Sequence, residues 1–369
     1  MKKILFLIHD LGRGGAEKVL VNLVNHLDRS LFEIHVMVLF GGGVNEHFLN
    51  SDIHFHTVYK KNIPANSKWM KFFSPRQLHK MYIRDHYDIE VSYLEGPCAR
   101  IISGCEDDNT KLVSWIHVEQ HTKENACSSF RNYQEALTCY SKFDNIVFVS
   151  EYVRSDFQSI FDKLSSGITL YNTVESKKIL FLSKQPVPEI LISKTIKLIA
   201  VGTLKKSKGY ERLFRIVKLF VDKGYDICLY VLGEGAEYAY LKNYVDDNNL
   251  YGKIIFLGYQ TNPYKYVSKC DLFVCASFSE GFSTATTESL IVGTPVCTVE
   301  VAGMKEMLGE NNEYGVVTEN SEEALYEGIK ILLDNPDLLA HYKKKAEIRG
   351  KEFSKEKTVK AVEDMLLSL

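Results

Sequence analysis

Short apolar runs alternate with amphipathic segments along most of this chain, and this alternation limits the fold more than any other feature of the sequence. Unbroken apolar runs are typical of strands buried in a parallel sheet, and the segments between them have the apolar spacing of helices. The predicted strands are residues 4–8, 34–40, 89–93, 111–116, 145–149, 196–201, 226–232, 254–257, 272–275 and 295–299. The sequence therefore predicts an α/β protein made of repeated β-α-β units.

The chain is too long for a single hydrophobic core, since its 369 residues exceed the size at which proteins divide into domains. Two prolines in the stretch 184–194 fix the backbone and remove amide donors, so we predict the interdomain link there. The predicted domains are residues 1–183 and 184–354, each a doubly wound Rossmann-like sheet, facing each other across a cleft. A charged helical segment at 355–369 is a candidate to pack back on the first domain.

Composition excludes several classes of function. The formal net charge of -2 gives no support to a nucleic-acid partner. The eight cysteines contain no Cys-x-x-Cys pair and no Cys/His cluster in sequence, so neither a zinc site nor a disulfide framework is predicted. The apolar run 4–8 is far shorter than the ~20 residues that cross a bilayer. We expect a cytoplasmic protein with reduced thiols.

Two loops that follow predicted strands are candidates for anion binding. Gly14 and Gly15 open the first helix, where free amides can face an anion, although glycines at such a turn are often needed only for the turn. Lys208 lies between a strand and a helix, at the sheet edge where open α/β folds bind their ligands. Its alternative interpretation is a solvated charge in a lysine-rich turn.

The stretch 279–288 carries the strongest chemical signal. Glu280 lies in a loop after a strand and Glu288 lies in the helix that follows, while Gly281, Phe282, Ser283 and Thr284 present helix-start amides. Carboxylates can accept hydrogen bonds from sugar hydroxyls while the amides bind a diphosphate. The alternative is a helix cap flanked by two solvated glutamates.

One histidine also lies at a predicted strand end. His117 closes the run 113–117, which places it on the rim facing the cleft. A structural histidine is the alternative interpretation, because the chain has eleven histidines and most must have no role in chemistry.

Taken in this order, these residues resemble the retaining glycosyltransferases of family 4, which have the GT-B fold and a Glu-x7-Glu motif. Glu280 and Glu288 fit that motif. The resemblance covers nearly the whole chain and includes 14–17, His117, Asn172, Gly202, 208–209, 233–235, 256–259 and 293–296.

The resemblance implies a role for each matching position. Glu288 binds the ribose of the nucleotide, Glu280 contacts the transferred sugar, and Lys208 faces the diphosphate. His117 lies beside the reacting sugar on the acceptor side. The residues implied in donor binding are Gly14, Gly15, Thr203, Lys208, Gly281, Phe282, Ser283, Thr284 and Glu288, and those implied in catalysis are His117, Lys208 and Glu280.

Thr203 departs from the family pattern, because many members have an arginine there. A leaving diphosphate needs fixed positive donors, each worth ~3 to 4 kcal/mol when well placed. Lys205, Lys206 or Arg212 is therefore expected to compensate. No metal or other cofactor is expected, because the chain has no Asp-x-Asp motif and a lysine with a helix dipole can replace the ion.

The resemblance implies a metal-independent transfer with retention, from a nucleotide-diphosphate sugar, with UDP as the expected nucleotide. The acceptor is expected to be a saccharide or a lipid-linked saccharide of a cell-surface polysaccharide or glycoconjugate. Two alternatives stay open: a sugar-nucleotide epimerase or hydrolase, which would turn over donor without acceptor, and a non-catalytic partner of another transferase.

The segment 60–84 differs from the rest of the chain, because it has seven basic residues and no acidic one, interleaved with aromatic side chains. We predict that it contacts an anionic membrane surface, with each cation near the surface contributing ~1 kcal/mol. This would place the protein peripherally on the inner face of the cell membrane. The alternative is a solvated loop with an aromatic anchor in the core.

Overall fold

The computed structural model describes residues 1–61, 66–162, 164, 167–187 and 195–369. The chain forms two compact units. The first comprises Met1–Thr173 with Lys355–Leu369, and the second comprises Val174–Ser354. Each unit contains one parallel sheet, so the predicted fold class of two Rossmann-like α/β domains is confirmed.

The sheet of the first unit has seven strands in the order β3-β2-β1-β4-β5-β6-β7. They are β1 (Lys2–Ile8), β2 (Phe32–Phe40), β3 (His54–Tyr59), β4 (Ile89–Ser92), β5 (Lys111–Ile116), β6 (Asn145–Phe148) and β7 (Ile168–Thr169). Strand β1 lies inside the sheet between β2 and β4, and its residues from Ile4 to Ile8 have no exposed surface. Burial on both faces explains why the central strands have continuous apolar runs.

Several helices of the first unit begin just after a residue whose side chain accepts a hydrogen bond from a free amide of the first turn. Ser74 accepts a hydrogen bond from the amide of Gln77, and Ser150 accepts one from Val153. The helices are α1 (Gly15–Val24), α2 (Asn66–Met70), α3 (Pro75–Tyr82), α4 (Pro97–Ile102), α5 (Lys123–Ala126), α6 (Tyr133–Tyr140) and α7 (Glu151–Ile160), with a 3-10 helix at Val44–Phe48.

The sheet of the second unit has six strands in the order β10-β9-β8-β11-β12-β13. They are β8 (Ile196–Val201), β9 (Ile227–Leu232), β10 (Ile254–Gly258), β11 (Leu272–Cys275), β12 (Val296–Val299) and β13 (Val316–Thr318). The helices of this part of the chain are α8 (Ser176–Ser183), α9 (Tyr210–Asp222), α10 (Tyr238–Asp247), α11 (Tyr264–Val267), α12 (Thr284–Ile291), α13 (Met304–Leu308), α14 (Glu322–Asp334) and α15 (Pro336–Gly350), with a 3-10 turn at Lys206–Lys208.

Three strands were not predicted from the sequence, namely β3, β7 and β13. Strand β3 lies at the sheet edge, is partly exposed and carries histidines at its first and third positions, so it has no continuous apolar run. Strands β7 and β13 have only two and three residues. Edge strands need less burial than central ones, and periodicity detects them poorly.

The units divide at a different residue from the predicted boundary. Helix α8 was assigned to the first domain, but it belongs to the second unit, where Ile179 packs against Tyr264 and Ile291. The last helix, α16 (Lys355–Ser368), is grouped with the first unit, and Lys2 Nζ donates to the carbonyl of Leu366 at 3.0 Å. Of the predicted link 184–194, residues 188–194 lie outside the described part of the chain.

In the part of the chain that the structure describes, no helix has both the length and the hydrophobicity that crossing a bilayer requires.

Gly209 lies very close to the backbone of Ala276, and a substitution there tests how tightly these two loops of the second unit pack. It has a φ of 64°, and a Cβ there would lie 1.8 Å from the carbonyl oxygen of Ala276. Gly224 also has a positive φ, of 84°, but no described atom lies within 4 Å of the point that a Cβ on it would occupy. We expect Gly224→Ala to lower the free energy of unfolding by about 1 kcal/mol through backbone strain. Gly209→Ala should lower it by about 1–3 kcal/mol more, because its Cβ also clashes with the carbonyl oxygen of Ala276.

The measurement is urea unfolding followed by circular dichroism, with tryptophan fluorescence as an internal control. Both tryptophans, Trp69 and Trp115, lie in the first unit, so fluorescence should change little in either variant. An equal decrease in the free energy of unfolding in the two variants would show that a Cβ at position 209 does not clash with the carbonyl oxygen of Ala276.

Candidate active site

The candidate site lies where the strand order of the second sheet reverses. Strands β8 and β11 are neighbours in that sheet, although the chain moves outward from β8 to β10 before it returns to β11. In a doubly wound sheet the loops beyond the carboxyl ends of two such strands form a crevice. Here these loops are the 3-10 turn Lys206–Lys208 and the segment 276–283.

Lys208 and Glu280 meet in this crevice. The Lys208 Nζ lies 2.5 Å from Glu280 Oε1, and the hydroxyl of Ser277 donates to the same oxygen at 2.6 Å. Glu280 is 9% exposed, which rules out the alternative of a solvated surface charge. Burial lowers the pKa of Lys208, but the charge of Glu280 and its hydrogen bond to the ammonium group outweigh this effect, so the pKa of Lys208 lies above its ordinary value. The lysine is therefore a fixed cation.

The loop that carries Glu280 is held by a buried arginine. Arg212 Nε and Nη2 donate to the carbonyls of Ala276 and Ser277, each at 2.8 Å, and Nη1 donates to Asn320 Oδ1 at 2.8 Å. The guanidinium also lies 4.1 Å from the ring centre of Phe278. Arg212 therefore shapes the loop, and the expectation that it replaces the missing family arginine has no support in this geometry.

The other two candidates for that replacement are Lys205 and Lys206, which are exposed on the turn. Thr203 is exposed as well, just after the end of β8. Sequence reasoning missed the positioning role of Arg212, because its loop partners are more than sixty positions away and no local motif connects them.

Helix α12 supplies the second glutamate and a set of amides. Gly281, Phe282 and Ser283 are buried immediately before Thr284, the first residue of the helix. Ser283 is also a helix cap, since its hydroxyl accepts from the amide of Thr286 at 3.3 Å. The cap interpretation is thus correct for Ser283, and it is compatible with a ligand at the same helix start, where the dipole favours negative charge.

Glu288 lies on the same helix and is 7% exposed. The hydroxyl of Tyr264 donates to Glu288 Oε1 at 3.3 Å. A carboxylate has about four lone-pair positions, so one that accepts from Tyr264 can also accept hydrogen bonds from a ligand. The surface-charge alternative is therefore wrong for Glu288 as well.

Gly14 and Gly15 form the start of α1 in the first unit. Gly14 is the capping residue and has no side chain to offer the helix amides. The carboxylate of Glu17 occupies the space that a side chain on Gly14 would need, and a negative charge is favourable at that helix start. The anion-binding role of Gly14 and Gly15 stays a prediction.

His117 follows β5 and is 6% exposed. Its ring lies 4.9 Å from the ring of Tyr93, and its backbone amide donates to Glu95 Oε2 at 3.0 Å. Burial lowers the pKa of His117 to about 3, so the imidazole is neutral. Among the residues that the structure describes, no group forms a hydrogen bond with its buried Nε2.

Glu95 was not identified from the sequence. It follows β4, the strand beside β5, and burial raises the pKa of its carboxyl group above the usual range. The only signal in the sequence was its position just after a predicted strand, where a polar residue lies at the sheet edge.

Two family models match the chain. Residues 13–168 match the model described as Glycosyltransferase Family 4, and residues 184–349 match the model described as Glycosyl transferases group 1. A relative from Campylobacter jejuni, named N-acetylgalactosamine-N,N'-diacetylbacillosaminyl-diphospho-undecaprenol 4-alpha-N-acetylgalactosaminyltransferase, is 30% identical over 365 residues, covering 97% of both chains.

Solved structures are similar in fold over the full chain. Anabaena HepE in complex with UDP and glucose aligns with a TM-score of 0.77 at 17% identity and covers 100% of each chain. Sucrose-phosphate synthase from Thermosynechococcus elongatus aligns with a TM-score of 0.80 at 15% identity, covering 100% of this chain and 99% of the other. These likenesses show the fold.

The buried imidazole predicts how stability depends on pH. The folded pKa of His117 is about 3, below the value of about 6.5 in an unfolded chain, so below pH 6.5 the proton binds the unfolded state preferentially. As the pH falls from 7 to 5, the free energy of unfolding of the wild type should therefore decrease by about 2 kcal/mol more than that of His117→Gln. Urea unfolding followed by tryptophan fluorescence, which reports the first unit, measures this difference. An equal change in both proteins would show that His117 is not buried in its neutral form.

Proposed function

Since this chain belongs to the glycosyltransferases of family 4, we propose that it transfers a sugar from a UDP-sugar to a saccharide or lipid-linked saccharide acceptor, with retention of the anomeric configuration and without a metal ion. The observation that carries the proposal is the buried contact between Lys208 and Glu280 beside helix α12, at the carboxyl edge of the second sheet.

Lys208 has the charge and position for a diphosphate. Its raised pKa keeps it protonated, and its ammonium group has three donors, of which Glu280 Oε1 takes one. We assign the remaining donors to the diphosphate oxygens, together with the amides at the start of α12. These groups supply positive charge where the leaving diphosphate becomes more negative, which is the role that a metal has in other transferases.

Glu280 and Glu288 have separate proposed partners. Glu280 is held by Ser277 and Lys208 through Oε1, and its second oxygen is assigned to the hydroxyls of the transferred sugar. Glu288, held by Tyr264, is assigned to the ribose hydroxyls of the nucleotide. Both carboxylates are buried, so a hydroxyl that approaches them displaces little water and gains a charge-assisted hydrogen bond.

The proposed reaction is a displacement on one face of the sugar. The bond between the anomeric carbon and the diphosphate oxygen breaks, and a bond to the acceptor oxygen forms on the same face. The acceptor proton passes to the departing diphosphate oxygen, so the step needs no separate base from the protein. Lys208 stabilises the charge that develops. His117 in the first unit is neutral and is assigned to a hydroxyl of the transferred sugar on the acceptor side.

UDP as the nucleotide is supported by solved neighbours of the same fold, since HepE and TarM were both determined with UDP. A lipid-linked saccharide as the acceptor is supported by the Campylobacter jejuni relative, whose name includes a diphospho-undecaprenol saccharide. We propose that this chain acts in the same class of pathway, the synthesis of bacterial polysaccharides or glycoconjugates.

A lipid-linked acceptor would bring the protein to a membrane surface, and the turn 70–73 has the properties that such contact needs. Arg100 donates to the carbonyls of Met70 and Phe73, and Arg131 donates to those of Lys71 and Phe72. The side chain of Phe72 is 83% exposed on this firmly held turn. An exposed aromatic on a rigid turn loses little entropy when it enters the interfacial region.

The net positive charge around this turn is lower than the segment 60–84 alone suggests. Arg76 and Lys80 form ion pairs with Glu106 at 2.6 and 3.2 Å, so their charges are partly balanced by an acid outside the segment. Lys68 and Arg84 are exposed. Residues 62–65 of the predicted segment 60–84 lie outside the described part of the chain.

Binding of the sugar-nucleotide donor is tested directly. Calorimetric titration in chelator-treated buffer should show binding of one UDP-sugar to the wild type, weakened at least tenfold by Glu288→Gln, because the neutral amide cannot accept two ribose hydrogen bonds as strongly. The matched control is Glu327→Gln, an exposed glutamate on α14, which should bind as the wild type does. Donor hydrolysis or epimerisation without any acceptor would instead favour the other enzyme class, and no binding by any sugar nucleotide would favour a non-catalytic partner.

Contact between the turn 70–73 and a membrane is tested with lipid vesicles. Phe72→Ser should reduce sedimentation of the protein with vesicles containing anionic lipid, whereas Phe48→Ser, at an aromatic of the same unit that is 53% exposed, should not. Vesicles of neutral lipid should bind less of the wild type. If Phe72→Ser and the wild type bind anionic vesicles equally, this turn is not the contact surface.

A further inference from the structure

Three side chains from separate elements of the first unit meet away from His117 and Glu95. His79 is on α3, Glu90 is on β4, and Cys105 follows α4. One ligand atom from each of these residues lies within 4.8 Å of the others. His79 Nε2 and Glu90 Oε2 are 2.8 Å apart. The combination of imidazole nitrogen, carboxylate oxygen and thiol sulfur is a set that zinc accepts.

Burial makes this cluster unusual. Glu90 is 2% exposed and the side chain of His79 is 13% exposed, so a carboxylate lies inside the domain on a strand of the sheet. A buried carboxylate is costly unless a positive group compensates it. His79 Nε2, 2.8 Å from Glu90 Oε2, is placed to compensate this carboxylate when the imidazole carries a proton. A divalent cation would compensate both the carboxylate and a thiolate.

The cluster is also held in place by its surroundings. A Cβ on Gly104 would lie 2.0 Å from the carbonyl oxygen of Pro75, so only glycine allows this loop to lie so close to the start of α3. On the other side of Cys105, Glu106 forms ion pairs with Arg76 and Lys80 of α3. The thiol is therefore held between two attachments to the helix that carries His79, which favours a preformed site.

We propose that His79, Glu90 and Cys105 bind a Zn²⁺ ion that fastens α3 to β4 and to the loop after α4, with a water molecule as the fourth ligand. Zinc bonds of about 2.0–2.3 Å in a tetrahedron place donor atoms roughly 3.3–3.8 Å apart. The donor atoms here are 2.8 Å apart for His79 and Glu90 and at most 4.8 Å apart for all three residues, so small side-chain movements would bring them to that spacing. The thiolate and imidazole select zinc over Mg²⁺ and Ca²⁺, which prefer oxygen ligands. This ion would be structural and separate from the sugar transfer.

A second group of possible ligands in the first unit allows the test to be specific. Glu33, His35 and His54 also have ligand atoms within 4.8 Å of one another, but they include no cysteine. Metal bound there would show no sulfur ligand. A spectroscopic signal from a metal–thiolate bond therefore distinguishes the proposed site from this one.

The experiment uses Co²⁺ as a probe for zinc in the full-length protein. We expect one Co²⁺ per chain to give a near-ultraviolet charge-transfer band typical of thiolate ligation, and added Zn²⁺ to remove it. Cys105→Ser should abolish the band and weaken Zn²⁺ binding about tenfold or more. Cys127→Ser is the matched control, since Cys127 is the other partly exposed cysteine, and it should retain the band. Cobalt binding without a thiolate band, or a band that survives in Cys105→Ser, would overturn the proposal.

A second measurement needs no variant and stays informative if Cys105→Ser fails to fold. Zn²⁺ should slow alkylation of Cys105 by iodoacetamide at least about tenfold, as mapped by mass spectrometry, while alkylation of Cys127 should keep its rate. Equal rates at Cys105 with and without Zn²⁺ would show that the cluster is a hydrogen-bonded ion pair without metal.

Discussion

The parallel direction of the strands is the constraint on which the rest of this structure depends. In each sheet the described strands pair in parallel, so their carboxyl ends gather along one edge and every connection must return across a face. In both sheets the strand order changes direction next to the strand that comes first in the chain, which is β1 in the first unit and β8 in the second. The loops that leave the two diverging strands have no crossing helix between them, which leaves a crevice for a ligand.

Buried charge gives the crevice of the second unit its chemistry. Lys208 and Glu280 lose most of their hydration, so each needs the other, and Ser277 fixes the carboxylate further. Arg212 is also buried but has a different role, because its donors hold the carbonyls of the loop that carries Glu280. A nucleotide diphosphate that enters would meet a cation and helix amides that are already in place, which lowers the cost of reorganisation during transfer.

The first unit uses burial in a different way. At the carboxyl ends of β4 and β5, burial raises the pKa of Glu95 above its usual range and lowers the pKa of His117 to about 3, so the imidazole is neutral. Elsewhere in the same sheet Glu90 is compensated by His79, whose pKa is raised. The same unit therefore contains one buried pair of polar groups at the carboxyl edge of its sheet and, separately, one charged cluster suited to a cation.

The sequence by itself determined the α/β class, the central strands and the loops of the candidate site, because apolar runs, glycine turns and the spacing of Glu280 and Glu288 are local properties. It did not find β3, whose burial is slight, or the division before α8, which depends on contacts with α11 and α12. Nor did it connect Arg212 with Ser277, or His79 with Glu90 and Cys105. Those contacts join elements far apart in the chain, and only the packing of helices on a sheet brings them together.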